Sequence, residues 1–292
     1  TETKIRFVPE TVEGLSLPPL LRLDRARYRG KLEICRVKGG NLVVVNELPV
    51  EEYLYAVVPS EMIAGTPSTY DKRREGLKAQ AILARTRAYY CIVNKKINTN
   101  GFHVDDTTNT QVYSGYTRAK DGAAGETENT TNAVNETTGL ILYYGSKIVS
   151  TLLYASNNAG YMESAENVWG GSGPAYIVSK PDPWNPPLLQ TVSYTGGSLT
   201  DKLVSYIKNN KSTDVGTVEY INIVSRSQSG RVTELFIEGS ANDAVITKQS
   251  TRTALGLRSQ MFHFEVGDTI TIVKQADGSD KALSDRARKY LE

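Results

Sequence analysis

The residues with the clearest capacity for chemistry lie in the segment Leu48-Pro49-Val50-Glu51-Glu52-Tyr53-Leu54-Tyr55-Ala56-Val57-Val58-Pro59-Ser60-Glu61-Met62. Glu61 follows Val57 and Val58 and precedes Met62 and Ile63, so its carboxylate emerges from an apolar stretch. Apolar surroundings raise a carboxyl pKa by desolvation, which is what a general acid working near neutral pH requires. The same text also reads as a helix start, with Ser60 and Glu61 serving as an N-terminal cap. Spacing alone leaves both readings open.

Other catalytic signals are sparse. The two histidines, His103 and His263, and the two cysteines, Cys35 and Cys91, form no metal-ligand spacing. Each cysteine sits in apolar surroundings without a CxxC partner, as buried thiols do, and a disulfide between them is a matter of distance. A formal net charge of +2 over 292 residues argues against a nucleic-acid binder held by a broad basic field. Lys72-Arg73-Arg74 reads as a solvated helix face. No apolar run approaches the roughly 18 residues of a membrane span, and Thr1 opens a polar segment without signal-peptide character.

The elements that must position Glu61 are readable around it. Lys31 to Val37 alternates at period two, Gly39-Gly40 makes a turn, and Leu42 to Val45 returns, which is a hairpin. Pro49 suits a first helical turn, and Glu51-Glu52 load that turn with the charge its dipole favours. Leu77, Ala81, Ala84, Ala88 and Ile92 recur at three- and four-residue steps and predict one long helix from about Tyr70 to Lys96, closed by Lys95-Lys96. A polar stretch follows, with a helix expected over Glu126 to Thr138. Strands are expected at Ile141 to Tyr144 and Ile148 to Tyr154, and again at Val232 to Glu238 after the Ser229-Gly230 turn. Pro181 to Pro187 cannot be regular structure. The sum is an α+β fold: short antiparallel strands and hairpins around one long helix, with an elongated substrate cleft. The expected boundaries are an N-terminal extension over 1–27, one domain over 28–275 and a tail over 276–292.

In order along the chain, seven blocks resemble the SpoIID/LytB family, the sporulation stage II protein D and amidase-enhancer proteins. The first joins the Glu61 segment to Leu77-Lys78-Ala79-Gln80-Ala81-Ile82-Leu83-Ala84-Arg85-Thr86-Arg87-Ala88-Tyr89. The others are Asp106 to Gly115, Ala155 to Gly160, Glu166 to Gly170, Pro181 to Trp184, Ser229 to Val232 and Leu255 to Ser259. The resemblance spans roughly residues 28 to 265.

What the resemblance implies is a periplasmic or cell-surface protein acting on peptidoglycan glycan strands. The family's catalytic glutamate falls on Glu61, and its helix arginine, implicated in substrate handling, on Arg85. Gln111 and Tyr113 fall in its QVY block, and Ser156 and Asn157 in its polar turn. Sporulation members are lytic transglycosylases cutting glycan that lacks stem peptides; LytB-like members enhance a separate amidase. A lytic transglycosylase needs one carboxylate, acid first and base second, rather than the pair a hydrolase uses. Arginine can grip the lactyl carboxylate of muramic acid with its planar fork. Tyr113, Trp169 and Trp184 can stack on sugar faces or fill core.

Three departures from the pattern stand out. Asn109 and Thr110 occupy positions where some sporulation members hold zinc, so no zinc and no other cofactor is expected. Ala159 stands where a glycine is usual, after Tyr154-Ala155 in place of His-Ser. Gly65 to Thr69 lengthens the interval before the helix. The expected activity is cleavage of MurNAc-GlcNAc bonds in peptide-free strands with Glu61 as general acid and base. The alternative is a non-catalytic glycan-binding activator of a cell-wall amidase, which would add that amidase as a partner. Any membrane contact would come only through a segment this chain does not include.

Overall fold

The computed structural model describes residues 4–10, 19–37, 40–94, 101–155, 157–188, 190–266 and 270–273. The chain divides into two compact units, Thr1–Leu153 and Tyr154–Glu292. The architecture is α+β in both.

In the first unit, β1 (Lys4–Phe7), the β2–β3 hairpin (Leu21–Leu23, Ala26–Tyr28), β4 (Lys31–Arg36) and β5 (Leu42–Glu47) precede the helices. Strands β1, β4 and β5 form an antiparallel sheet with Ile34 opposite Ile5 and Val44. The predicted hairpin is therefore present, although Gly39 of its turn lies outside the described residues. Helix α1 (Val50–Glu61) follows Pro49, whose extended backbone (φ −58°, ψ 147°) ends the strand and whose missing N–H is no loss at a helix start. A 3-10 turn at Pro67–Thr69 then delivers the chain into α2 (Tyr70–Val93), a helix of 24 residues. The extra residues before the helix are thus an ordered lead-in, with the Thr69 hydroxyl accepting from the Thr66 N–H at 3.0 Å. Lys95-Lys96 lie outside the described residues.

Leu77, Ala81, Ala84 and Ala88 form the buried stripe of α2, and Tyr53, Leu54, Val57 and Val58 of α1 pack on it with Ala133 and Val134 of α3 (Glu128–Glu136). Alanine at three of those four α2 positions keeps the side chains short, so both neighbours approach closely. Thr127 caps α3, its hydroxyl accepting from the Thr130 N–H at 3.3 Å. The strands expected from Ile141 to Tyr154 shrink to β6 (Tyr143–Tyr144) and β7 (Lys147–Ile148). Helix α2 takes their backbone groups instead. Leu142 N–H donates to the Thr86 hydroxyl at 2.9 Å, and Arg87 Nη1 to the Ser150 carbonyl at 3.2 Å.

The second unit contains β8 (Tyr161–Met162), α4 (Ala165–Trp169), β9 (Lys180–Pro181), β10 (Thr191–Tyr194) and α5 (Gly196–Lys211). Then come β11 (Val218–Arg226), β12 (Val232–Gly239), β13 (Ala244–Thr247), α6 (Gln249–Ala254), β14 (His263–Val266) and β15 (Ile270–Val273). An antiparallel β11-β12-β13 sheet carries Val232, Leu235, Ile237 and Ile246 against Leu199, Leu203 and Ile207 of α5. The expectation of one dominant helix is corrected here. Helix α5 has 16 residues, Thr195 as its cap and Lys208 and Lys211 in its last turn. Leu199, Leu203 and Ile207 at four-residue steps are its signature, masked in the sequence by Gly196-Gly197 at the start.

Leu203 is fully buried at the centre of this core. Leu203→Ala should therefore destabilise the second unit by about 2–5 kcal/mol. Urea denaturation followed by circular dichroism would read this as a lowered midpoint.

Candidate functional site

Helix α1 ends at Glu61, and the backbone turns extended at Met62 (φ −137°, ψ 138°). The reading of Glu61 as an N-terminal cap is thereby overturned, because it sits at the opposite end of its helix. A carboxylate at a helix C-terminus is unfavourable by about 0.3–1 kcal/mol, so the helix itself gives no reason for an acid there. Glu61 is half-buried; Val57 and Val58 behind it are in the core, while Met62 and Ile63 beyond it are exposed. Its neighbour Ser60 donates to the Ala56 carbonyl at 2.8 Å, and its hydroxyl lies 3.2 Å from that of Ser114. This contact ties the end of α1 to the Gln111-Val112-Tyr113 block.

That block is anchored from below. Gln111 is buried, donating through Nε2 to the Ala84 carbonyl of α2 at 3.2 Å and accepting from the Tyr53 hydroxyl of α1 at 3.3 Å. The Tyr113 ring packs 5.2 Å from that of Tyr53, and its hydroxyl donates to Asn46 Oδ1 at 2.8 Å. Burial raises the pKa of both phenols above their ordinary value, with smaller contributions from nearby carboxylates, Glu61 among them for Tyr53. Gly115 closes the block at φ +73°, and a Cβ there would lie 2.9 Å from the Arg27 carbonyl, so glycine is required on both counts. Tyr113, open in the sequence between sugar platform and core, belongs to the core. Gln111 likewise spends its amide on α1 and α2, positioning the Glu61 helix rather than presenting a free donor.

Arg85 is placed differently from expectation. Its side chain is fully buried and forms an ion pair with Glu51 in the first turn of α1. Nε donates to Glu51 Oε1 at 2.8 Å and Nη2 to Oε2 at 2.6 Å, a fork on a carboxylate. The remaining donors reach the Val134 carbonyl at 3.1 Å, the Leu140 carbonyl at 3.2 Å and the Thr137 hydroxyl at 3.4 Å. Val134 lies in the last turn of α3 and Thr137 follows as its C-cap, where a cation suits the dipole. With its guanidinium committed in this way, Arg85 joins α1, α2 and α3 and is not offered to a ligand. Its partner Glu51 lies in the first turn of α1, at the opposite end of that helix from Glu61.

In the second unit, Asn157 Nδ2 donates to Asn185 Oδ1 at 2.8 Å and to the Pro186 carbonyl at 2.9 Å. Asn158 Nδ2 donates to Asp182 Oδ2 at 2.7 Å. These two side chains hold the proline-rich loop that carries Trp184, which is 90% exposed and so available as a flat apolar face. Ser156 lies outside the described residues. Ala159 has φ +59°, a left-handed conformation that glycine adopts more readily, which explains why the family pattern prefers glycine there. Glu163 was not picked out by sequence reasoning. Burial acts to raise its pKa, but hydrogen bonds from Ser179, Ser227, Ser229 and Asn167 outweigh it and hold the carboxyl down at about 2.

Among the described residues, no group of three or more His, Cys, Asp and Glu side chains could hold a metal ion. Asn109 and Thr110 sit in a polar turn organised by Asp105, which accepts from the Thr107 N–H at 3.0 Å. Cys35 and Cys91 are buried free thiols. No helix among the described residues is long and apolar enough to cross a membrane.

Residues 38–144, which include α1, α2, Glu61 and the Gln111–Tyr113 block, match the family model for stage II sporulation protein. Stage II sporulation protein D of Bacillus subtilis (strain 168) is 32% identical over 257 residues, covering 85% of this chain and 69% of that protein. The chain belongs to the stage II sporulation protein D family. Stage II sporulation protein D of Bacillus amyloliquefaciens is 31% identical over a similar span, 85% of this chain and 69% of the relative. An amidase enhancer of Bacillus subtilis is 34% identical over 155 residues, which is 53% of this chain and 19% of that protein. Residues 184–276 match a separate model described as a domain of unknown function. The family model thus lies within the first unit, the similarity to the two sporulation proteins extends into the second, and residues 184–276 of the second unit also match a model of their own.

Two outcomes follow from these contacts. Arg85→Met leaves Glu51 without its partner and several acceptors unfilled, so unfolding free energy should fall by about 3–5 kcal/mol in urea titrations. A loss below about 1 kcal/mol would show that the pair is dispensable. Glu163 is a depressed carboxyl, so its contribution is complete above its ordinary value of 4.5 and is lost as pH falls from there toward about 2. Thermal melts across that window should show a steeper acid decline for the wild type than for Glu163→Gln.

Proposed function

We propose that the chain is a peptidoglycan lytic transglycosylase that cleaves MurNAc-GlcNAc bonds in peptide-free glycan strands, with Glu61 as general acid and base. The observation that carries this reading is the placement of Glu61. It is a half-buried carboxylate at the unfavourable end of a helix that is otherwise locked by Arg85 at its start and by the Tyr53–Gln111 contact along its length. A side chain whose charge opposes local helix stability, on a rigid support, fits a residue retained for chemistry.

In this account the protonated Glu61 carboxyl gives its proton to the glycosidic oxygen as the bond to C1 of muramic acid breaks. The carboxylate then takes the proton from the muramic C6 hydroxyl, whose oxygen closes on C1. The products are a 1,6-anhydro end and a free GlcNAc hydroxyl, with no water consumed. One carboxyl supplies both transfers, so a second acid is not required. Gln111, Tyr113 and Ser114 act through position, holding the end of α1. The envelope location expected for such an activity, periplasmic or extracellular, is part of the same proposal.

A second reading is supported by the similarity to an amidase enhancer: a glycan-binding activator that stimulates an amidase without cutting. Glu61→Gln separates the two. It preserves shape and removes the titrating proton, so anhydro-ended products from denuded strands should fall at least 100-fold, with the Tm moved by little. Mass analysis of the digest reads the first quantity and calorimetry the second. Undiminished release of anhydro ends by the variant would remove Glu61 from the chemistry. A wild-type protein that yields no anhydro ends yet stimulates an amidase would favour the activator.

A further inference from the structure

With Arg85 committed to Glu51, the charge that would recognise an acidic ligand must lie elsewhere, and the second unit supplies it. A pocket of about 160 Å³ is lined by Asn157, Asn158, Arg231, Arg252, Arg258 and Gln260, among others, and its walls are almost wholly polar. Three arginines therefore face one small volume. Among the described residues none of the three is in an ion pair, and the guanidinium of Arg258 has no hydrogen-bond partner. Arg231 gives donors to the Tyr161 carbonyl and the Asn158 carbonyl, each at 2.9 Å, and Arg252 Nη1 reaches only the Arg258 carbonyl at 3.4 Å. Since a guanidinium has five N–H donors, most of the donor capacity of this trio is unspent.

The nearby carboxylates do not neutralise it. Glu163 exerts a Coulomb effect on Arg231, but its oxygens are taken by Ser179, Ser227 and Ser229. Asp182 is held by Asn158. Burial works against the charged form of Arg231, yet an arginine does not give up its proton in a protein. Like charges gathered in a concave site focus a positive potential, and planar forks with free donors match a planar oxyanion.

We propose that this pocket is a carboxylate-binding subsite for an acidic saccharide, taking the free lactyl carboxylate of a peptide-free muramic acid residue on the forks of Arg252 and Arg258 beside Arg231. Asn157 and Asn158 form one wall and also hold the loop that carries the exposed Trp184, so the site couples charge recognition to a fixed aromatic face. A stem peptide converts the lactyl carboxylate to a neutral amide, and the pocket then has nothing to bind. The proposal rests on the glycan reading above and names the part of the glycan that is recognised.

The same oxyanion chemistry is found on phosphate polymers, and the test includes them. Binding is measured by isothermal titration with the whole chain carrying Glu61→Gln, so that cleavage does not enter and the absence of lyase activity would be a separate result. The titrants are denuded glycan strands, the same strands with lactyl carboxylates reduced to alcohols, and a glycerol phosphate polymer, all at matched salt. Denuded strands should bind at least 10-fold tighter than reduced strands, and Arg252→Gln/Arg258→Gln should bring that ratio to near 1 while binding of reduced strands is unchanged. Arg258→Gln alone, at an exposed position, should lower the ratio part-way and leave the fold intact. Equal binding of native and reduced strands by the Glu61→Gln protein would overturn the proposal without reference to any arginine variant. Stronger binding of the phosphate polymer than of denuded strands would overturn the carboxylate assignment.

Discussion

The first unit depends on one buried ion pair. Arg85 has no solvent access and places its guanidinium on Glu51, on two backbone carbonyls and on a threonine hydroxyl. Desolvating a guanidinium is expensive, and a single carboxylate seldom compensates for it. Here the remaining donors are also met, so the charge is accommodated and three helices are fixed in mutual orientation. Glu51 contributes twice, since its Oε1 also accepts from the Gly139 N–H at 3.2 Å. Remove the pair and α1 loses its tether at the end opposite Glu61.

The consequence for function is mechanical. A helix pinned at its start by an ion pair and along its side by the Tyr53–Gln111 contact presents its last residue at a fixed place. The Ser60–Ser114 contact adds a third restraint one residue before Glu61. Positioning of this kind is what acid–base catalysis demands, because a proton moves usefully only over hydrogen-bond distance. The second unit uses a different device. There Glu163 gathers serine hydroxyls from around β9 and the β11–β12 turn, and the arginines nearby are left with free donors.

Several of these features were legible in the sequence, and the reasons are local. The β4–β5 hairpin followed from alternation, α1 from Pro49 and its acidic first turn, and α2 from its alanine stripe. Helix α5 escaped because its glycine-rich start hid a regular leucine and isoleucine spacing. The strands after α3 were overestimated because α2 side chains capture the backbone groups that would have paired. The Arg85–Glu51 pair could not be read at all: the partners lie 34 residues apart, and nothing in either local pattern names the other. Assigning Arg85 to ligand binding was the natural reading of an arginine on a motif helix, and burial reverses it. The arginine pocket was equally hidden, since its residues come from three separated blocks that only folding brings together.

The central claim is that one carboxyl, Glu61, performs both proton transfers and that the attacking oxygen belongs to the sugar. Digestion of denuded strands in heavy-oxygen water, followed by mass spectrometry of the new muramic ends, tests it most directly. The account predicts anhydro ends carrying no heavy oxygen. Reducing muramic ends with one heavy oxygen each would show that water attacks C1, and would contradict it.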